Sequence, residues 1–143
     1  MKKIEDILQK AIKLGACAKS NGATDWKTLV WLFFSPQGYE FCEKNEFPTL
    51  EMFRQVKADV ESYNIFVDAG VQKRTNDSCV AFIGPNTKGE LVYDDNTKVH
   101  KVIVMHGAKV DIVARNFAVV RLISIGSENE VRKHRDKTAI ILE

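Results

Sequence analysis

Apolar residues in the first sixty positions recur every three or four residues; beyond about Ser62 they recur every second residue. Ile4, Ile7, Leu8, Ala11, Ile12, Leu14 and Ala18 form the stripe of an amphipathic helix, which Asn21-Gly22 would stop. Thr24 or Asp25 then caps a second helix, Trp26–Phe34. Ser35-Pro36, an N-cap followed by proline at the first helical position, opens a third near Gln37–Lys44. Phe47-Pro48-Thr49 opens a fourth near Leu50–Lys57. The period-two half predicts short strands at Tyr63–Ala69, Cys79–Ile83, Leu91–Tyr93, Val99–Met105, Lys109–Ala114, Ala118–Ile125 and Thr138–Leu142. No helix-length segment interrupts them, so the expected class is α+β. A helical capping or docking segment spans 1–60, and an all-β part spans 61–143.

Residues 107–116 align with 117–126 at alternate positions: Ala108 with Ala118, Val110 with Val120, Ile112 with Leu122, Ala114 with Ser124. Matches at every second residue are expected where one face of each strand enters a shared core. This predicts stacked rungs, a short β-solenoid or β-roll, with Asp111 beside Arg121 on the outer face. The rival is an ordinary barrel or sandwich in which the two segments run antiparallel.

The run Gly107-Ala108-Lys109-Val110-Asp111-Ile112-Val113-Ala114, continued by Ala118 and Val120, is similar to short repeats in β-solenoid segments of phage and bacterial surface proteins. Residues 31–57, WLFFSPQGYEFCEKNEFPTLEMFRQVK, resemble uncharacterised proteins of gut Bacteroidetes and their phages or mobile elements. That resemblance implies a phage or mobile-element setting and carries over no catalytic residue.

Composition narrows the classes. The chain has 143 residues, 45% apolar and 28% charged, with 21 basic against 19 acidic side chains. These are globular values, and a net charge of +2 supplies no polyanion-binding tail. Cys17, Cys42 and Cys79 are too few and too scattered for a disulfide framework. Charges interrupt the N-terminal apolar stretch, and the longest apolar run, Leu29–Phe34, is far short of the roughly 20 residues that span a bilayer. No membrane association is expected, and the location is cytoplasmic, or virion for a phage structural protein.

Candidate chemistry is sparse. His100 and His106 would share one strand face, but no second ligand pair accompanies them; polar surface histidines, and no metal or cofactor, are expected. Asp94-Asp95-Asn96 lacks the glycine and final glutamate of a calcium loop and reads as an Asx-built turn. Cys79 with His106 as base is a conceivable nucleophile pair, but Cys79 opens an apolar run and reads as core. Residues 84–89 read as a loop rather than a phosphate cradle, and 131–137 as a solvated turn.

The expected function is therefore non-enzymatic: a structural or interaction protein that forms a homo-oligomer or docks on a larger assembly. Residues 26–53 hold eight of the thirteen aromatics, either a miniature core or a docking surface with Trp26, Trp31 and Phe34 as its candidates. A first alternative is a small DNA-binding regulator. Its helix-turn-helix would be 37–57, with Arg54, Gln55 and Lys57 as base or phosphate contacts. Nine basic against eight acidic groups in 1–60 give it little phosphate attraction, so nucleic acid is not favoured. A second alternative is a carbohydrate-binding module stacking sugars on Tyr63, Phe66, Phe82, Tyr93 or Phe117.

Overall fold

A computed structural model describes residues 5–7, 9–10 and 25–143. The expected first helix is helical at 5–7 and 9–10; its remainder, the Asn21-Gly22 stop, Thr24 and Cys17 lie outside the described residues. The chain divides into two compact units, 1–63 and 64–143.

In the first unit the helices that begin at Trp26, Pro36 and Leu50 each start where a side-chain oxygen can take an orphan amide, whereas the short one that begins at Lys57 has no side-chain cap. Asp25 accepts from Thr28 N at 2.7 Å and opens α1, Trp26–Phe33. This bond, with the Thr28 hydroxyl, holds the Asp25 carboxyl below the usual carboxylate range. Ser35 accepts from Gly38 N at 3.1 Å and opens α2, Pro36–Asn45, with proline in the first turn. Thr49 accepts from Met52 N at 3.2 Å and opens α3, Leu50–Gln55. The expected fourth helix breaks at Val56 and resumes as α4, Lys57–Val60, followed by a 3-10 turn, Glu61–Tyr63.

Aromatic rings cross edge to face in this unit: Phe33 on Phe34 (5.1 Å between centroids), Phe33 on Phe53 (6.1 Å) and Phe41 on Phe47 (5.9 Å). Phe34, Phe47 and Phe53 are buried, so much of the aromatic cluster is core. Cys42 is buried with them, and burial pushes its thiol up to about 12.

The second unit is a two-sheet parallel β-solenoid. Its strands are β1 (Ile65–Val67), β2 (Gly70–Thr75), β3 (Cys79–Ile83), β4 (Thr87–Tyr93), β5 (Val99–Met105), β6 (Lys109–Ala114), β7 (Val119–Ile125), β8 (Glu130–Arg135) and β9 (Ile140–Leu142). Odd strands form one sheet, β1-β3-β5-β7-β9, and even strands the other, β2-β4-β6-β8, with every pair parallel. The antiparallel barrel is thereby excluded.

Register corrects the repeat. Lys109 faces Lys88 and Glu130; Val119 faces Val99 and Ile140. A full turn takes sixteen or seventeen residues at the start of the stack and twenty to twenty-two after it, and the ten-residue match of 107–116 to 117–126 is half a turn. It holds because β6 and β7 fill one core from opposite sides: Ala108, Val110 and Ile112 meet Ala118, Val120 and Leu122 in a single buried cluster. The fourth match fails, since Ser124 is exposed while Ala114 is buried. Asp111 and Arg121 consequently stand in different sheets; Asp111 instead faces Arg132 in register and lies 3.7 Å from Lys88 Nζ.

Between the sheets, Val80, Phe82, Val102, Val104 and Val120 pack against Leu91, Tyr93, Val110 and Ile112. The Phe66 and Phe82 rings stack at 5.8 Å. Gly89 owes its place to this packing: a Cβ there would stand 2.8 Å from the Phe82 ring. β3 and the 102–105 half of β5 are buried on both faces, Ala81, Ile83, Ile103 and Met105 included, so they read as unbroken apolar runs. Thr87, also buried, donates to Ile83 O at 2.7 Å and accepts from Ala69 N, tying two corners together.

Two strands escaped the sequence reading. β2 and the stretch read as a solvated turn, now β8, are the outer strands of the second sheet. With no further rung to pack against, most of their core-side positions are polar: Gln72 and Arg74 in β2, Lys133 and Arg135 in β8, where Val131 alone packs on the core. Backbone pairing, more than apolar burial, makes them strands. β4 likewise begins at Thr87, inside the predicted loop.

Candidate functional site

The residues singled out from sequence are dispersed. Arg54 and Gln55 are exposed at the end of α3, and Lys57, half-buried, begins α4. The six-residue α3 is the intended recognition helix, so its two base-reading types sit in its last turn. Trp31 is 70% exposed, Trp26 is half-buried and Phe34 is buried; burial removes Phe34 from any docking surface. Of the five rung aromatics, Phe66, Phe82 and Tyr93 are core and only Tyr63 and Phe117 reach solvent.

The conceivable nucleophile pair, Cys79 with His106, does not form. Cys79 opens β3 opposite Lys101, and His106 stands beyond the far end of β5, in a turn at φ +57°. Cys79 is half-buried and points away from the inter-sheet core, since its neighbour Val80 points in; burial raises its thiol, which disfavours the thiolate. Among the described residues no group of three His, Cys, Asp or Glu side chains is placed to hold a metal. Asp94–Asn96 is a turn as expected: Asp95 Oδ1 accepts from Thr97 N (3.0 Å) and Thr97 Oγ1 (2.7 Å).

His100 is the main departure. It is not a surface histidine: it lies at 0% exposure on the core side of β5. Its Nδ1 is 3.0 Å from Asp77 O and its Nε2 3.1 Å from Asp95 O, so one ring bridges the β2–β3 and β4–β5 loops. Tyr93 covers its face at 4.7 Å between centroids. Burial pushes the Tyr93 phenol up, and its oxygen has no partner among the described residues. Arg74 completes this corner. It makes a two-pronged contact with Asp77 (2.7 and 3.2 Å) and lays its guanidinium 5.5 Å from the Phe66 ring centre, closing one end of the core. The only hint in sequence was the even spacing of His100 from Val102 and Val104, which puts them on one strand face.

A polar ladder follows the same corner along the stack. Asn76 donates to Asp94 at 2.7 Å, Arg115 stands 3.7 Å from Asp94, and Asp136 accepts from Asn116 N at 3.2 Å. Asp136 also accepts from Thr138 Oγ1 (2.7 Å), Thr138 N (2.8 Å) and Ala139 N (3.0 Å). The Thr138 bonds foremost hold its carboxyl down at about 2, against an ordinary 3.8. A depressed carboxylate stabilises the fold fully above the unfolded value and stops doing so as pH falls through the folded one. Between about pH 4 and pH 2 the wild-type chain should therefore lose stability that Asp136→Asn does not lose. Thermal unfolding followed across that range checks this; identical pH profiles for both proteins would refute it.

The two ends of the stack differ. β1 is buried at all three residues, whereas β9 leaves Ile140 and Leu142 at 51% and 43% exposure. On the outward face, Val99, Val119 and Ile140 are register neighbours across β5, β7 and β9, and Leu142 follows beside Arg121. Phe117, 65% exposed at φ +62°, is tied to the same end by its amide bond to Thr138 Oγ1 (2.8 Å). The outer face of the second sheet is instead an ion-pair lattice: Lys73–Glu90, Lys88–Asp111 and Lys109–Glu130 at 3.7–3.9 Å. Such exposed pairs are each worth about 0–1 kcal/mol, so they fix solubility and register more than stability. No helix among the described residues is long and apolar enough to cross a membrane. Comparison with known protein families, curated proteins and solved structures finds no match, so the likeness to phage and Bacteroidetes proteins stands on its residues alone.

Proposed function

We propose that this chain is a non-enzymatic interaction protein that self-associates, or attaches to a larger assembly, through the open end of its solenoid. The observation that carries this reading is the apolar strip of Val99, Val119, Ile140 and Leu142 with Phe117 beside it. Val99, Ile140 and Leu142 are about half exposed and contiguous with half-buried Val119 across three strands. Burial from full exposure is worth about 1.5–3 kcal/mol per side chain, so a partner that covers them gains roughly half of that for each. The interior supports the same reading, because side chains from both sheets fill it and recognition falls to the surface. A phage or mobile-element setting is the finer part of the proposal; its support is the resemblance of residues 31–57 and 107–120.

Light scattering on the whole chain tests it. We expect a dimer or trimer at tens of micromolar that Ile140→Arg converts to a monomer with an unchanged circular dichroism spectrum. A wild-type monomer at millimolar concentration would remove self-association from the proposal.

A further inference from the structure

We propose that the free edge of β8 accepts an extended acidic segment of a partner protein as an additional strand. The proposal rests on the interaction-protein reading but uses a different surface, the rim of the second sheet.

β8 is a six-residue terminal strand, Glu130–Arg135, paired on one side only. Glu130 N bonds Ala108 O and Asp136 N bonds Ala114 O. In a parallel ladder alternate residues point their amides to the same side, so Glu130, Arg132, His134 and Asp136 face β6. The backbone groups of Val131, Lys133 and Arg135 therefore face the open side, the template for strand addition.

Charge selects the occupant. Arg132, Lys133, His134, Arg135 and Lys137 line this rim with Asp136 among them, while Glu130 at the start of the strand lies 3.9 Å from Lys109. Among the described residues no carboxylate pairs with Arg132, His134 or Lys137. The other rim of the same sheet differs, since in β2 Lys73 is paired with Glu90 and Arg74 with Asp77. The chain itself shows a carboxylate received at the β8 rim: Glu143 sits 2.7 Å from Lys133 Nζ. A second copy of β8 would bring the same cations edge to edge, which like-charge repulsion opposes. An acidic strand satisfies both the ladder and the charges. A nucleic acid would meet the charges and leave the backbone groups unpaired.

The probe is a ten-residue peptide alternating glutamate with valine, titrated into the whole chain at low salt and followed by fluorescence anisotropy and amide hydrogen exchange. We expect saturable binding, weakened about tenfold by Arg132→Glu together with His134→Glu, two exposed changes outside the core. On binding, the amides of Val131, Lys133 and Arg135 should become protected. Those of Arg132 and His134, already in the ladder, should change little. The proposal is overturned if the peptide does not bind at millimolar concentration. It is also overturned if a proline-interrupted peptide of equal charge binds as well, or if a single-stranded oligonucleotide of equal charge binds more tightly. Failure here leaves the Ile140→Arg result standing, so the two readings fail separately.

Discussion

Replacing Phe82 with alanine should lower the unfolding free energy by about 3–5 kcal/mol, among the largest losses available to a single change in the solenoid. Its ring is fully buried, stacks on Phe66 and lies over Gly89. Truncation removes transfer energy and also leaves a cavity that two hydrogen-bonded sheets cannot collapse to fill. The partner glycine makes the claim sharper. Gly89→Ala should cost about 1–3 kcal/mol in the wild type, because the new methyl meets the ring at 2.8 Å. In the Phe82→Ala background the same methyl enters empty space, so its cost should vanish or change sign. Urea unfolding of the four proteins gives the coupling directly. Additive losses would mean that the ring does not exclude a side chain at position 89.

His100→Leu is expected to be the second large loss, although it exchanges a polar side chain for an apolar one in a buried site. The histidine ring turns its two nitrogens to the carbonyl oxygens of Asp77 and Asp95; either tautomer donates to one of them, and leucine donates to neither. Orphaning a buried acceptor costs about 1–3 kcal/mol, and the ring contact with Tyr93 is lost as well. Because the two carbonyls belong to different loops, the loss should show locally too. Amides of residues 76–78 and 94–98 should exchange faster in the variant while those of β6 and β7 hold. A leucine variant as stable as wild type would show that water or loop movement satisfies those carbonyls without the ring.

The sequence reading succeeded where local rules act alone. Ser35-Pro36 and Thr49 start helices because a cap needs only the next three residues. The alternation in 109–114 and 119–122 marks core-facing strands for the same reason, as the pleat has its period within one strand. It failed where the answer depends on a neighbour twenty residues away. The half-turn repeat was visible, but whether Asp111 meets Arg121, Arg132 or Lys88 is a matter of which strand stacks on which. His100 looked like a surface residue because nothing local announces the two carbonyls that make its burial tolerable.

Sequence by itself determined the two halves, the main helix starts and the inward columns of the middle rungs; it left open whether those columns stack in parallel or close an antiparallel barrel. Only the tertiary structure decided the two-sheet division, the length of a turn and the identity of β2 and β8. The physical reason is the same in each case. Apolar periodicity records burial against a neighbouring rung, and at the rims of the second sheet, β2 and β8, little of it remains. There the chain is held by backbone hydrogen bonds, whose partners no side-chain pattern encodes.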